Sequence, residues 1–141
     1  MKTLPAFHFA VLVCLAVPAS FATENTIPVQ TPAAQSSLAG SYKGTWGNGT
    51  DGGQLRLKLA QDGPNWTAVC TFTFDDAEIP TRTKSVNVSG QKLELVVQWE
   101  MQGSPGESRI AGELNGAKLD GIYETKTGTE TSSGTWSTTR E

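Results

Sequence analysis

The sequence predicts an all-β domain, an eight-stranded antiparallel up-and-down meander closed into a barrel. Three observations carry that expectation. Clusters rich in Gly, Asn, Asp and Pro recur near residues 50, 63, 76, 90, 104, 115 and 128, roughly every 13 residues, and seven turns separate eight strands. Between the turns, apolar and polar residues alternate with a period of two, and no stretch carries a convincing helical period. The face opposite the apolar one bears Lys43, Arg56, Lys58, Lys92, Glu94, Glu100, Glu113, Asp120 and Glu124. Lipid would not tolerate that row, so a soluble barrel is expected and not an outer-membrane one. A two-sheet β-sandwich is the alternative architecture. Closure is preferred because it hides both edges of a meander.

From the N-terminus, Met1-Lys2 supplies a charged start, Phe7 to Val17 is nearly all apolar, and small residues follow at Ala19, Ser20 and Ala22. This is the pattern of a secretory signal peptide over 1–22, cleaved after Ala22 or, as second choice, Ala19, and it predicts a secreted or periplasmic protein. The apolar run falls well short of the roughly 20 residues that span a bilayer, so no membrane span is expected. Cleavage would remove His8, the one histidine, together with Cys14, leaving Cys70 as the single thiol. Without an imidazole there is no Ser-His-Asp or Cys-His catalysis and no His-ligated metal site, and one thiol cannot form an intramolecular disulfide. Neither a catalytic residue, a metal nor a cofactor is therefore expected. Residues 23–38, rich in Thr, Pro, Gln, Ala and Ser, read as a flexible linker. All 15 glycines lie at or beyond Gly40, which places the barrel domain at 39–141.

Within that domain, Leu55, Leu57 and Leu59 alternate with Arg56 and Lys58. Trp66, Ala68, Cys70, Phe72 and Phe74 alternate with Thr67, Val69, Thr71 and Thr73. The fourth segment is weak, with Val86 and Val88 its one good pair. Leu93, Leu95, Val97, Trp99 and Met101 make the longest row, followed by Ile110, Gly112 and Leu114, by Leu119, Gly121 and Tyr123, and by Gly134 and Trp136. One apolar and one polar face per strand is the pattern of an antiparallel sheet solvated on one side. Asn115-Gly116 is the clearest hairpin signal.

The first strand reads Gly44-Thr45-Trp46 and the chain ends Thr138-Thr139-Arg140-Glu141. A Gly-x-Trp on the first strand with an Arg on the last resembles the calycin superfamily, which comprises lipocalins, fatty-acid-binding proteins and avidins. The resemblance implies a lipocalin-like barrel in which Trp46 plugs one end and Arg140 lies across its indole, with Gly44, Trp46 and Arg140 as closure residues. It also implies a scaffold for small apolar molecules. The domain is shorter than a typical lipocalin and shows no helix after its last strand, and no residue pattern carries over a biotin site.

Tyr42, Trp66, Phe72, Trp99, Tyr123 and Trp136 are the candidate ligand-binding residues, since aromatic walls suit small-molecule sites. The same rings suit the filling of a barrel, and eight strands enclose a space just wide enough for side chains to fill, so filling is the stronger expectation. Tyr42 and Tyr123 are the better ligand candidates because a buried hydroxyl needs a partner. Asp75, Asp76 and Glu78 read as a solvated turn, and Cys70 as a small buried hydrophobe. Glu100 paired with Tyr123 would be the barest carboxylate enzyme, but strand parity puts Glu100 outside. The net charge of -3 gives no basic face for nucleic acid. The expected function is a secreted non-enzymatic calycin-like barrel binding a small apolar or amphipathic ligand. The alternative is a filled structural or protein-interaction module, working through an outer patch of Val69, Val96, Ala111 and Ile122. The sequence identifies no protein partner.

Overall fold

The computed structural model describes residues 37–141. The leader expected over 1–22, and all but the last two residues of the linker expected over 23–38, lie outside the described residues. Eight strands follow in order: β1 (Gly40–Gly47), β2 (Gly52–Asp62), β3 (Asn65–Phe74), β4 (Ala77–Ser89), β5 (Lys92–Met101), β6 (Ser104–Asn115), β7 (Lys118–Thr127) and β8 (Glu130–Arg140). Each pairs antiparallel with the next, and β8 pairs with β1, so the sheet is a closed barrel and not a sandwich. No helix among the described residues is long and apolar enough to cross a membrane.

Most strands are joined by two-residue turns, whose backbone twist matches that of the strands when φ is positive. Asp75 and Asp76 (φ 47° and 62°) and Gln102 with Gly103 (φ 52° and 79°) make such turns. The hairpin signalled by Asn115-Gly116 forms one residue later: Asn115 pairs with Lys118 inside the ladder, and Gly116-Ala117 turns the chain. Likewise Ser104, Pro105 and Gly106 belong to β6 and not to the turn before it.

The weak alternation of β4 has a structural cause. Its register against β5 shifts between Thr83 and Ser85, so the inward positions change from Ile79, Thr81 and Thr83 to Val86 and Val88. A bulge inserts one residue and breaks the period of two. On its other side, β4 pairs with β3 only from Ala77 to Pro80. Beyond that point Thr81 Oγ1 donates to the Cys70 carbonyl at 2.8 Å and Thr83 Oγ1 to that of Ala68 at 2.6 Å. Two side chains thus replace ladder bonds where Pro80 has no N–H to offer.

Alternating strand direction gathers the start of β1, the end of β8 and the turns after β2, β4 and β6 at one end of the barrel. That end is solid. Leu38, Leu59, Leu93, Leu114 and Leu119 are buried there, and Thr138 Oγ1 donates to the Leu119 carbonyl at 2.8 Å. Tyr42, also buried, donates its hydroxyl to the Leu38 carbonyl at 2.8 Å and accepts from Arg140 Nη2 at 2.7 Å. Arg140 also donates to the Ser37 carbonyl.

Two expectations change. Leu38 belongs to the barrel core rather than to the linker, because its side chain stops the closed end. The Arg140 guanidinium lies over the ring of Tyr42, 5.3 Å from its centroid, and not across Trp46. Register is the reason: β1 meets β8 with Tyr42 opposite Arg140 and Trp46 opposite Trp136. Four residues of strand put Trp46 about 13 Å further along, toward the other end.

Candidate functional site

The end bearing the turns after β1, β3, β5 and β7 is hollow. A cavity of about 350 Å³ opens there, floored by Leu55, Cys70, Val97 and Ile110 and walled by Trp46, Phe72, Phe74, Trp99, Tyr123 and Trp136. The expectation of a filled interior therefore holds for one half of the barrel and fails for the other.

The rings leave space because each is fixed against the wall. A Cβ at Gly106 would overlap the indole of Trp99, and one at Gly112 the indole of Trp136, so these glycines are the shelves on which the two tryptophans lie. Gly44 serves otherwise: a Cβ there would strike the Ser137 backbone of β8, so its role is the close approach of the closing strands.

The indole N–H groups are spent on the wall as well. Trp99 Nε1 donates to Ser108 Oγ at 2.9 Å, and Ser108 Oγ lies 2.7 Å from Thr125 Oγ1. Trp136 Nε1 donates to the carbonyls of Ala111 (3.2 Å) and Ile122 (3.1 Å), and Trp46 Nε1 to that of Thr73 at 3.0 Å. Among themselves the rings pack mainly edge to face: Trp46 meets Phe72 at 5.9 Å and Tyr123 at 5.8 Å, while Phe72 meets Trp99 at 5.8 Å. Phe74 stacks on Trp46 at 6.2 Å. Such pairs hold one another in place and keep flat apolar faces toward the space.

The rim is polar. Asn48 and Asp51 reach it from the turn after β1, Glu130 and Ser132 from β8, and Thr125 and Thr127 from β7. Asn48 organises its own loop: its Oδ1 accepts from the N–H groups of Thr50 (2.9 Å) and Asp51 (2.7 Å). Its Nδ2 donates to Asp51 Oδ2 at 3.3 Å and to Ser132 Oγ at 3.4 Å, tying the loop to β8. Among the described residues no Lys or Arg lines the cavity. A second depression, beside Gly53, Asp75 and Asp76, is open and mostly polar and holds no ring but the edge of Trp46.

Of the candidate ligand-binding residues, Phe72, Trp99, Tyr123 and Trp136 come together around the cavity. Tyr42 and Trp66 do not. Tyr42 is sealed in the closed end with both hydroxyl partners supplied by the protein, and Trp66, opposite Gln61 near the turn after β2, lies at that same end. Trp46, expected as a closure residue, stands in the cavity wall. Burial pushes the Cys70 thiol up to about 12, which leaves it a protonated part of the floor and a poor nucleophile. The Tyr123 hydroxyl is shielded from solvent and has no hydrogen-bond partner among the described residues. Its burial, and secondly the Asp51 carboxylate, raise its pKa.

Glu100 is exposed on the outer face, away from the cavity. Val69 and Ile122 are exposed too, but on β3 and β7, four strands apart in a ring of eight, so they belong to opposite walls. Of the four residues expected to make one outer patch, Val69 lies apart, while Ala111 pairs with Ile122 and Val96 stands on the adjacent strand β5.

The rim residues Asn48, Asp51, Glu130 and Ser132 carry no signature of their own in the sequence. Their one signal is topological: in a meander every second turn falls at the same end, so the turns after β1, β3, β5 and β7 and the strand ends beside them share one mouth. Compared with protein-family models, with curated proteins and with solved structures, the chain matches none, and the barrel's own geometry carries the functional reading.

Proposed function

We propose that this protein is a secreted or periplasmic, non-enzymatic barrel of calycin type that holds a small apolar or amphipathic ligand in its open end. The observation that carries this reading is the cavity of about 350 Å³ walled by six aromatic rings. Apolar clefts with a few polar groups at the edge are the usual form of small-molecule sites, and this volume lies near the lower limit of their range of about 300–1,000 Å³. It suits one ring or a short chain and is too small for a long acyl chain. Binding would be passive, driven by apolar burial at about 25 cal/mol per Å² and directed by the polar rim. The leader-like start of the chain supports export, and the closed eight-stranded meander with Gly44 at the β1–β8 seam supports a calycin-like barrel, although Arg140 covers Tyr42 and not Trp46.

Tryptophan fluorescence tests the reading, because Trp46, Trp99 and Trp136 line the cavity and Trp66 does not. Titration with 2-phenylethanol and short alcohols should change the emission in a saturable way, and Trp66→Phe should keep that response while Trp99→Phe diminishes it. No saturable change with any of them, and no heat in calorimetry, would overturn the reading.

A further inference from the structure

We propose that the cavity selects an organic ammonium, a small cation whose apolar body enters among Trp46, Phe72 and Trp99 and whose charged head stays at the rim beside Asp51 and Glu130. This rests on the ligand-binding reading and adds the chemical class of the ligand.

The charges at the mouth all have one sign. Asp51 and Glu130 bring two carboxylates to the lining, and among the described residues no cation accompanies them. Among the described residues the ion pairs are Lys84 with Glu107 and Lys118 with Asp120, so neither rim carboxylate is neutralised by a neighbour. The turns of this end carry Asp51, Asp75 and Asp76 and not one Lys or Arg, while Lys92 and Lys118 follow turns of the closed end, where Arg140 also lies. Lys126, near the mouth on β7, is exposed on the outer face opposite Glu107 and Thr131. An acidic mouth over low-dielectric walls concentrates cations and repels carboxylate ligands.

The wall beneath reinforces the choice. With their N–H groups spent on Ser108 and on backbone carbonyls, the indoles offer a cavity ligand their π-faces and not a donor. Ring faces attract cations, tryptophan most strongly. An anion entering this site would meet two carboxylates and the negative faces of several rings, and would find no positive group to receive it. A neutral ligand would lose nothing but would leave the rim charges unused.

Calorimetry with three probes of similar shape tests the proposal on the full chain: 2-phenylethylammonium, 2-phenylethanol and 3-phenylpropionate. The ammonium should bind about tenfold more tightly than the alcohol, with the carboxylate weakest. High salt should narrow the gap, since the rim carboxylates are exposed. Asp51→Asn combined with Glu130→Gln should bring the affinity for the ammonium close to that for the alcohol. Equal affinities, a preference for the carboxylate, or an ammonium preference that survives both substitutions would overturn the proposal and leave the ligand-binding reading standing. Failure of all three probes to bind would overturn both.

Discussion

The two ends of this barrel are made by the same eight strands, yet one is packed and the other hollow. At the closed end the inward side chains are mostly leucines, flexible enough to interdigitate, and Leu38 and Tyr42 close the remaining gap. The hydroxyls buried there find partners, two for Tyr42 and one for Thr138, although Gln91 Oε1 and Arg140 Nε at the same end have none. At the open end the inward side chains are rigid plates, laid on glycines and tethered through their N–H groups, and plates fixed to the wall cannot meet across the axis. There the Tyr123 hydroxyl is left without a partner. Stability is thus concentrated at one end and the capacity to bind at the other, and substitutions should divide accordingly.

The largest effects are expected at the closed end. Leu119, fully buried, should cost about 2–5 kcal/mol on replacement by Ala, through lost burial and the void left behind. Phe74→Ala, at the half-exposed open rim, should cost less than half as much in the same urea titration while weakening ligand-induced fluorescence changes. Equal costs would mean that the two ends do not differ in packing. Tyr42→Phe should follow, at about 1–3 kcal/mol, because it leaves the Leu38 carbonyl and one Arg140 nitrogen without their shared hydroxyl.

This division was only partly legible beforehand, and the reason is physical. Strand parity and turn position are local properties, so Leu55, Leu57, Leu59 and the row from Leu93 to Met101 announce their inward face directly. Closure register is not local. Whether Arg140 meets Tyr42 or Trp46 depends on how far β8 slides along β1, and nothing within either strand specifies that offset. The same ignorance hid the cavity: Trp66 and Trp99 look alike in an alternating row and end up at opposite ends of the barrel. β4 misled for a different cause, since its bulge at Thr83–Ser85 erases the alternation by which a strand is read.

Alkaline pH sharpens the comparison through Cys70, which lies at the boundary between the two halves. Burial raises its thiol from the ordinary value of 9.0 to about 12. Between those values the unfolded chain loses the proton that the folded chain keeps, so the unfolded state is favoured as pH rises. The stabilisation is whole below about pH 9 and is lost on the way to 12, at up to about 1.4 kcal/mol per pH unit. The raised Tyr123 hydroxyl acts in the same direction, from about pH 10 upward. Urea titrations across this window should show the decline, and Cys70→Ala should flatten its first part. A thiol reagent that modifies the native protein as fast as the denatured one would contradict a buried Cys70.

The smallest expected effect is also the most discriminating. Tyr42→Phe and Tyr123→Phe delete the same atom from the same kind of ring, one at each end. The first removes a hydroxyl that serves two partners, and the second removes one that serves none. A buried polar group without a partner costs free energy to keep, so Tyr123→Phe should leave the unfolding free energy unchanged or raise it by up to about 1 kcal/mol. The neighbouring Gly134 would still receive the ring, since the replaced residue is smaller by one oxygen. If Tyr123→Phe instead destabilised the barrel as much as Tyr42→Phe, the hydroxyl at the open end would have a partner in solution, and the contrast between the two tyrosine hydroxyls would fail.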